Sequence, residues 1–152
     1  MDSAQEQVAL LEDRLSILPA DEIIDFEHHL GRMVDLAYRW DLWGAAYIIN
    51  GGCSDDGFEY FRGWLVARGK AIFDAALRDP DTLADVADDE NAECETFLSV
   101  ALPAYKRASG KKFPDEARWV ATGACRGDPQ GNRWTDEDLP KMLPRLMARF
   151  AR

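Results

Sequence analysis

The stretch from Trp40 to Gly69 decides the fold, and it reads WDLWGAAYIINGGCSDDGFEYFRGWLVARG. Residues 40–50 leave almost no polar face, a pattern typical of a helix that is buried on all sides. A strand over 46–49 is the competing interpretation, because β-branched residues favour strands. The sequence offers no partner strand of comparable strength, so we expect a central helix over 40–50.

A tight corner and a second buried helix follow. The Asn-Gly-Gly run at 50–52 tolerates the left-handed backbone conformation in which helices end. A D-x-x-E helix start lies at 56–59, and aromatic residues then recur at helical spacing. The sequence therefore predicts a helix over 56–68 that meets the first one at the corner 50–56.

Apolar spacing is also helical on both sides of this centre. Before it, the pattern predicts one helix that ends before Pro19 and another that continues to about residue 38. After the centre, the pattern predicts a short helix stopped by Asp79-Pro80, a short helix in the acid-rich run 81–95, and one over 94–108 with a kink at Pro103 and an end at Gly110. It also predicts a weaker helix over 115–121 and a last one that begins at Thr135-x-x-Asp138 and is interrupted or bent near Pro140 and Pro144. We expect an all-α chain, with residues 1–152 forming a single domain and one irregular bundle of about seven helices.

Length and composition fit this expectation. The chain has 152 residues, of which 47% are hydrophobic, so it can bury a core and does not have the composition of a disordered protein. No apolar run approaches the roughly 18 residues that span a bilayer. The N-terminus lacks the pattern of a secretion signal, so we expect a cytoplasmic protein with no membrane partner.

Charge is divided unevenly along the chain. Residues 1–100 contain 22 acidic and 7 basic side chains, residues 101–152 contain 6 acidic and 11 basic ones, and the net charge is −10. The two parts should attract each other. An acidic body repels phosphate, so we expect a basic protein partner rather than nucleic acid.

Cysteine and histidine are too few and too scattered for several kinds of chemistry. Cys53, Cys94 and Cys125 are widely spaced, which argues against a disulfide framework and against a structural zinc site. His28 and His29 are neighbours, and on a helix they would point about 100° apart and could not chelate one ion together. We predict no metal site and no cofactor, and we identify no catalytic residue.

The corner 50–56 is the best candidate for a binding site. Its glycines can turn backbone N–H groups toward an anion, and the following helix N-terminus would lower the pKa of Cys53 or hold an anionic group. The simpler interpretation is that Ser54 or Asp56 caps the helix and that Cys53 is a small buried apolar residue. Nearby aromatic residues either line a pocket or pack in the core. The candidate ligand-binding residues are Trp43, Tyr47, Asn50, Cys53, Ser54, Asp55, Asp56, Arg62 and Trp64.

Basic residues suggest a second candidate surface. Lys141, Arg145 and Arg149 recur at i, i+4 and i+8 and predict a basic stripe on the last helix. Such a stripe is either solvated or docked on the chain's own acidic half, and the alternative is that these three residues bind a protein partner. Arginines around the corner, Arg62 among them, are expected to pair with nearby carboxylates rather than with an anionic ligand.

The order of motifs in this region resembles a known family. A Trp-Asp-Leu-Trp helix leads to a Gly-Gly-Cys-x-Asp corner and then to a Phe-x-x-Phe-Arg-x-Trp-Leu helix, as in the bacterial family called domain of unknown function 4240, which is common in actinobacteria. Leu-Pro-x-x-Glu-Ile at 18–23 and Ala-Ala-Leu-x-Asp-Pro at 75–80 are similar to that family as well. The resemblance covers about residues 15–105 and leaves 106–152 as a variable extension. It implies no activity and no catalytic residue.

Two functions are compatible with these sequence features. The first is an acidic binding or regulatory module that acts on a basic protein partner, as bacterial immunity proteins do. The alternative is a small-molecule-binding protein or an enzyme, with a site at the corner 50–56 lined by Trp43, Tyr47 and Trp64. A solvent-filled pocket at the corner would favour the alternative, and a filled corner beside a contiguous acidic face would favour the first.

Overall fold

The computed structural model describes residues 3–88, 91–119 and 127–150. Within these ranges there are nine α-helices, seven of them with seven or more residues, and no strand. The prediction of an all-α bundle is therefore confirmed. Among the described residues, no helix is both long enough and apolar enough to cross a membrane.

The first five helices contain the predicted centre. They are α1 (Ser3–Leu15), α2 (Ala20–Leu36), α3 (Trp40–Asn50), α4 (Asp55–Ala67) and α5 (Lys70–Arg78). The strand considered for 46–49 is part of α3. Helix α2 ends two residues before the predicted boundary, because the next backbone groups bond elsewhere. The Tyr38 carbonyl accepts from Gln130 N (3.0 Å), and Trp40 N donates to the Gln130 carbonyl (2.9 Å).

The remaining elements are shorter. They are a first 3₁₀ helix (Pro80–Asp85), α6 (Glu95–Leu98), α7 (Ala101–Ser109), a second 3₁₀ helix (Asp115–Ala117), α8 (Leu139–Met142) and α9 (Pro144–Phe150). Gly110 ends α7 in the left-handed conformation (φ 74°), as predicted.

The kink predicted at Pro103 was wrong in its position. The chain breaks at Ser99 and Val100, between α6 and α7, and Pro103 lies in the first turn of α7. In a continuous helix the Pro103 ring would clash with the Ser99 carbonyl, and Pro103 has no N–H to donate to it. The Ser99 carbonyl instead accepts from Leu102 N (3.1 Å) in a tight turn, so proline moves the break one turn upstream.

The helix predicted over 115–121 was wrong for Arg118 and Trp119. The second 3₁₀ helix stops at Ala117, Arg118 is extended (φ −68°, ψ 133°), and residues 120 and 121 lie outside the described ranges. Side chains of α2 bind this segment, since Glu27 Oε2 accepts from Trp119 N (3.3 Å) and Asp35 Oδ1 accepts from Trp119 Nε1 (3.1 Å). These bonds replace the helical ones.

The last predicted helix is two helices, broken at Leu143. A residue before proline is pushed out of the helical region, and Leu143 accordingly has φ −132° and ψ 61° ahead of Pro144. Lys141 and Arg145 therefore lie on different helices.

Two apolar clusters stabilise the described residues. In the larger one, α3 and α4 pack against each other and against the C-terminal helices, with Leu42, Ile49 and Phe61 fully buried. Burial of each such side chain contributes about 1.5–3 kcal/mol. The smaller cluster joins α1, α2 and α7 around Ile23 and Phe113.

Ion pairs connect the acidic and basic parts of the chain, as their charges predict. Arg107 bonds Glu12 (2.9 Å) and Asp13 (2.8 Å) on α1. Arg118 bonds Glu27 (3.1 Å) on α2, and Arg145 bonds Asp85 of the first 3₁₀ helix. The basic part is thus partly neutralised by the chain itself.

Candidate functional site

The corner 50–56 is built by two helix ends. Gly51 takes the left-handed conformation (φ 70°, ψ 39°) that ends α3, and its N–H donates to the Tyr47 carbonyl. Ser54 caps α4, because its Oγ accepts from Gly57 N (3.1 Å). Asp55 and Asp56 occupy the first turn of α4, where the helix dipole favours a negative charge. The local caps are therefore those expected of a structural turn.

Tertiary hydrogen bonds fill the inner side of this corner. Trp43 Nε1 donates to the Cys53 carbonyl (3.0 Å). The Asn50 amide bonds both backbone groups of Ala92, accepting from its N–H (2.8 Å) and donating to its carbonyl (3.4 Å). Asn50 and Trp43 thus hold the corner to the preceding helix and to the loop before α6.

The pKa of Cys53 shifts opposite to the lowering that the helix N-terminus suggested. The pKa is raised from an ordinary 9.0 to about 12, chiefly by burial and also by the carboxylates of Glu93 and Asp55, while Arg62 lowers it. The thiol is therefore protonated at neutral pH and is not an activated nucleophile. Cys94 is also a free thiol, and Cys125 lies outside the described residues.

The aromatic residues expected to wall the corner face different regions. The Trp43 ring stacks on Phe58 at 4.8 Å. Tyr47 packs on Trp134 at 5.3 Å and, with Gly51 of the corner, lines a cleft that faces the C-terminal helices. Trp64 stacks under the Arg68 guanidinium at 5.1 Å and lines a separate cavity of about 210 Å³. The three do not enclose one pocket.

Arg62 lies inside the core rather than on a surface. It is 3% exposed, and its guanidinium lies 4.8 Å from the ring centres of both Tyr38 and Phe58. Its NH1 donates to the Val34 carbonyl (3.1 Å), and its Nε to the Phe58 carbonyl (3.4 Å). These contacts join α2 to α4, so the described bonds of Arg62 are structural.

Five carboxylates lie at the start of α4 and around the start of α6. We call Asp55, Asp56, Glu59, Glu93 and Glu95 the acidic patch. Its two segments are joined by a backbone bond from Cys94 N to the Tyr60 carbonyl (3.0 Å). A Cβ added to Gly57 would lie 3.3 Å from Glu93 Oε1, so the second segment reaches the start of α4.

Two observations describe the charge of the acidic patch. None of the five carboxylates takes part in an ion pair with any residue that the structure describes. The pKa of the neighbouring Tyr60 is raised, chiefly by the charge of Glu95, then by partial burial and by Asp56 and Glu59. Carboxylates disfavour the phenolate because both are negative.

Sequence reasoning found one half of this patch and missed the other. Asp55 and Asp56 were candidate residues, whereas Glu93 and Glu95 belonged only to a run interpreted as an exposed loop. The signal that places them here is the long-range pairing of Cys94 with Tyr60, which no spacing rule contains.

The basic residues of the C-terminal helices are partly engaged by the chain itself. Arg145 pairs with Asp85, and Arg149 donates to the Ala84 carbonyl while stacking on Phe150 at 4.9 Å. Lys141 is exposed on α8. Arg145 and Arg149 thus dock on residues of the chain's own acidic half, as one interpretation of the basic stripe expected.

The described histidines and carboxylates do not gather into a metal-binding set. Within the described part of the chain, no group of three or more His, Cys, Asp or Glu side chains has the geometry to hold a metal ion. His28 Nε2 lies 3.1 Å from the Ala117 carbonyl, and His29 Nδ1 lies 2.7 Å from Arg32.

Comparison with known proteins gives one match. The model of a family of proteins of unknown function, DUF4240, matches residues 1–107. This range contains α1 to α6 and most of α7, somewhat more than the resemblance indicated. No curated protein and no solved structure matches the chain. Because the match covers more than half of the 152 residues, the chain belongs to the DUF4240 family.

Proposed function

We propose that the protein is a binding module that captures a basic segment of a partner protein on its acidic patch. The observation that carries this proposal is the set of five carboxylates without an ion-pair partner among the described residues. Such a surface attracts cations over several ångströms and gains most from a partner that supplies several at once.

The distribution of the chain's own basic residues supports the same proposal. Arg107, Arg118 and Arg145 neutralise carboxylates of α1, α2 and the first 3₁₀ helix. No described basic residue does so for the acidic patch. An external cation would therefore meet carboxylates there that no described basic residue neutralises.

Tyr60 favours arginine and lysine side chains over a simple counter-ion. It is half-buried, and Glu95, Asp56 and Glu59 lie close enough to raise the pKa of its hydroxyl, Glu95 also through a hydrogen bond. An aromatic face beside carboxylates suits a guanidinium or ammonium group, which can pair and stack together. A nucleic acid phosphate would be repelled at the same place.

A matched pair of triple variants tests this proposal. Fluorescence anisotropy would measure binding of a labelled peptide of alternating arginine and glycine to the wild type and to Asp55→Asn/Asp56→Asn/Glu59→Gln. Each exposed charge contact contributes up to about 1 kcal/mol, so we expect the Kd to rise roughly 10-fold, with less difference in high salt. A peptide of alternating glutamate and glycine should not bind.

The control is Asp21→Asn/Glu22→Gln/Asp25→Asn. It removes the same formal charge from the first turns of another helix, α2, where all three residues are exposed. We expect it to change the Kd less than about twofold, because it alters only the long-range field. Equal weakening by both variants, with both folded by circular dichroism, would mean that net charge alone attracts the peptide and would contradict a specific patch.

A further inference from the structure

A cleft of about 370 Å³ lies between the end of α3, where Gly51 of the corner lines it, and the C-terminal helices. Tyr47, Ile48 and Gly51 line it from α3, and Leu139, Met147 and Phe150 line it from the C-terminal helices. Tyr47 and Ile48 are neighbours on α3, and Gly51 directly follows the helix, so the three line the side and the end of α3. The volume is in the range of small-molecule sites in proteins.

The walls of this cleft are held in place by tertiary contacts. Trp134 Nε1 donates to the Trp40 carbonyl (2.6 Å) at the start of α3. Gly44 allows close approach, since an added Cβ would lie 2.9 Å from Leu139 and 3.2 Å from Trp134 Nε1. The opposite wall is tied to the core by Asp81, which accepts from Leu146 N (2.9 Å). The cleft is therefore preformed.

The floor of the cleft is apolar. Ile48 and Phe150 are each 7% exposed and Leu139 is 3% exposed, while Tyr47 and Met147 are half-buried. These side chains give a ligand an aliphatic and aromatic surface to cover. An apolar ligand body would gain roughly 25 cal/mol for each Å² removed from water.

One charged group lines the same cleft. Asp136 is exposed at its rim, and its carboxylate forms no ion pair with the described residues. A single carboxylate beside an apolar floor complements a molecule with one cationic end and one apolar end. We infer that this cleft binds a small amphiphilic amine, with the ammonium group at Asp136 and the apolar body over Leu139 and Phe150.

This site shares no residue with the acidic patch, and it extends beyond the part of the chain that the family model matches. Four of its seven lining residues follow residue 107, where the DUF4240 match ends. The amine site is thus assembled from the family core and the extension together. It requires no part of the proposed protein-binding function.

Nuclear magnetic resonance with three related probes tests the inference. 4-Phenylbutylamine, 4-phenylbutanol and 4-phenylbutyrate share an apolar body and differ in charge. We expect the amine to shift the amide signals of 47–51, 136–139 and 147–150 and to bind roughly threefold to fivefold more tightly than the alcohol, as one partly exposed charge contact allows. The carboxylate should bind most weakly. Nuclear Overhauser contacts from the probe ring to the Met147 methyl group should appear in the wild type.

Two variants and a matched control complete the test. Asp136→Asn should remove the preference for the amine over the alcohol, while Glu137→Gln, which changes an exposed neighbour that does not line the cleft, should keep it. Met147→Trp should fill the cleft and abolish binding of all three probes. Asp55→Asn/Asp56→Asn/Glu59→Gln should leave amine binding unchanged.

Three results would overturn the inference. They are no saturable shift at millimolar probe, probe contacts outside the cleft, or an amine preference that survives Asp136→Asn. Because the Overhauser contacts are read in the wild type, failure of a variant to fold would not hide the answer.

Discussion

Replacing Asp81 tests how the C-terminal helices are held on the core. Asp81 is 6% exposed, and its carboxylate accepts from the backbone N–H groups of Arg145 (3.0 Å) and Leu146 (2.9 Å). These are the first N–H groups of α9, because Pro144 has none, and Met147 N already makes a helical bond. One side chain from the first 3₁₀ helix therefore caps α9.

The expected loss of stability follows from these two hydrogen bonds. A hydrogen bond to a charged acceptor contributes about 1.5–3 kcal/mol, and loss of a helix cap costs about 0.5–2 kcal/mol. Asp81→Asn keeps one acceptor and turns its amino group toward an N–H, so the free energy of unfolding should fall by about 2–3 kcal/mol. Asp81→Ala leaves both N–H groups without this acceptor and should cost about 3–4 kcal/mol. At about 2–4 °C per kcal/mol, its Tm should fall by roughly 6–16 °C.

Urea unfolding followed by tryptophan fluorescence and by circular dichroism measures this loss. The matched control is Asp85→Asn in the same 3₁₀ helix. Asp85 pairs with the Arg145 side chain, but the two side chains are 66% and 50% exposed, so solvent screens the pair. We expect the control to leave the unfolding midpoint almost unchanged.

The cap assignment fails under either of two results. An Asp81→Ala variant within about 0.5 kcal/mol of the wild type would show that water satisfies the start of α9 equally well. An Asp85→Asn variant as costly as Asp81→Asn would show that the surface charge of the 3₁₀ helix, rather than the cap, holds α9.

Three further predictions concern the corner and α2. Cys53 should react with iodoacetamide at pH 8 about a thousandfold more slowly in the folded chain than in urea, since a pKa of about 12 instead of 9.0 lowers the thiolate fraction by that factor. Mass spectrometry of the labelled peptide measures the rate, and equal rates in the two conditions would contradict the burial of this thiol. Glu95→Gln should lower the raised pKa of Tyr60, because the charge of Glu95 contributes most to that rise. Absorbance during an alkaline titration should show one tyrosine ionising at a lower pH than in the wild type, and an unchanged titration would mean that Glu95 does not lie beside Tyr60. Gly31→Ala should lower the free energy of unfolding by about 1–3 kcal/mol, because the added Cβ would lie 2.9 Å from Trp119 Cβ and overlap the indole. An unchanged tryptophan fluorescence maximum together with unchanged stability would refute this packing.

The centre of the fold is predictable from sequence because its signals are local. The all-apolar surface of 40–50 predicts a buried helix, and α3 occupies those residues. The glycine after it and the serine before α4 end and begin their helices as their backbone and side-chain chemistry favours.

Proline signals that a helix breaks, but the position of the break depends on tertiary contacts. Proline at 103 is compatible with a first helical turn, so the break moves to Ser99 and Val100. Trp119 leaves the helical pattern because Glu27 and Asp35 bond its nitrogen atoms from α2. Such bonds join residues more than 80 positions apart, and apolar periodicity does not contain them.

The candidate sites, too, are only partly predictable from the sequence. Asp55 and Asp56 are visible as a local acidic start of α4, whereas Glu93 and Glu95 join them only through a tertiary backbone bond. The cleft lined by Tyr47 depends on where α8 and α9 dock, and a buried aspartate in the first 3₁₀ helix determines that position.

Mapping the basic peptide on the isotopically labelled protein tests the central claim most directly. If the acidic patch is the binding surface, titration with the arginine–glycine peptide should shift the amide signals of 55–60 and 93–95 in one saturable transition. The signals of 20–25, at the equally acidic start of α2, should shift little. Shifts spread evenly over both surfaces, or centred on α2, would contradict the account.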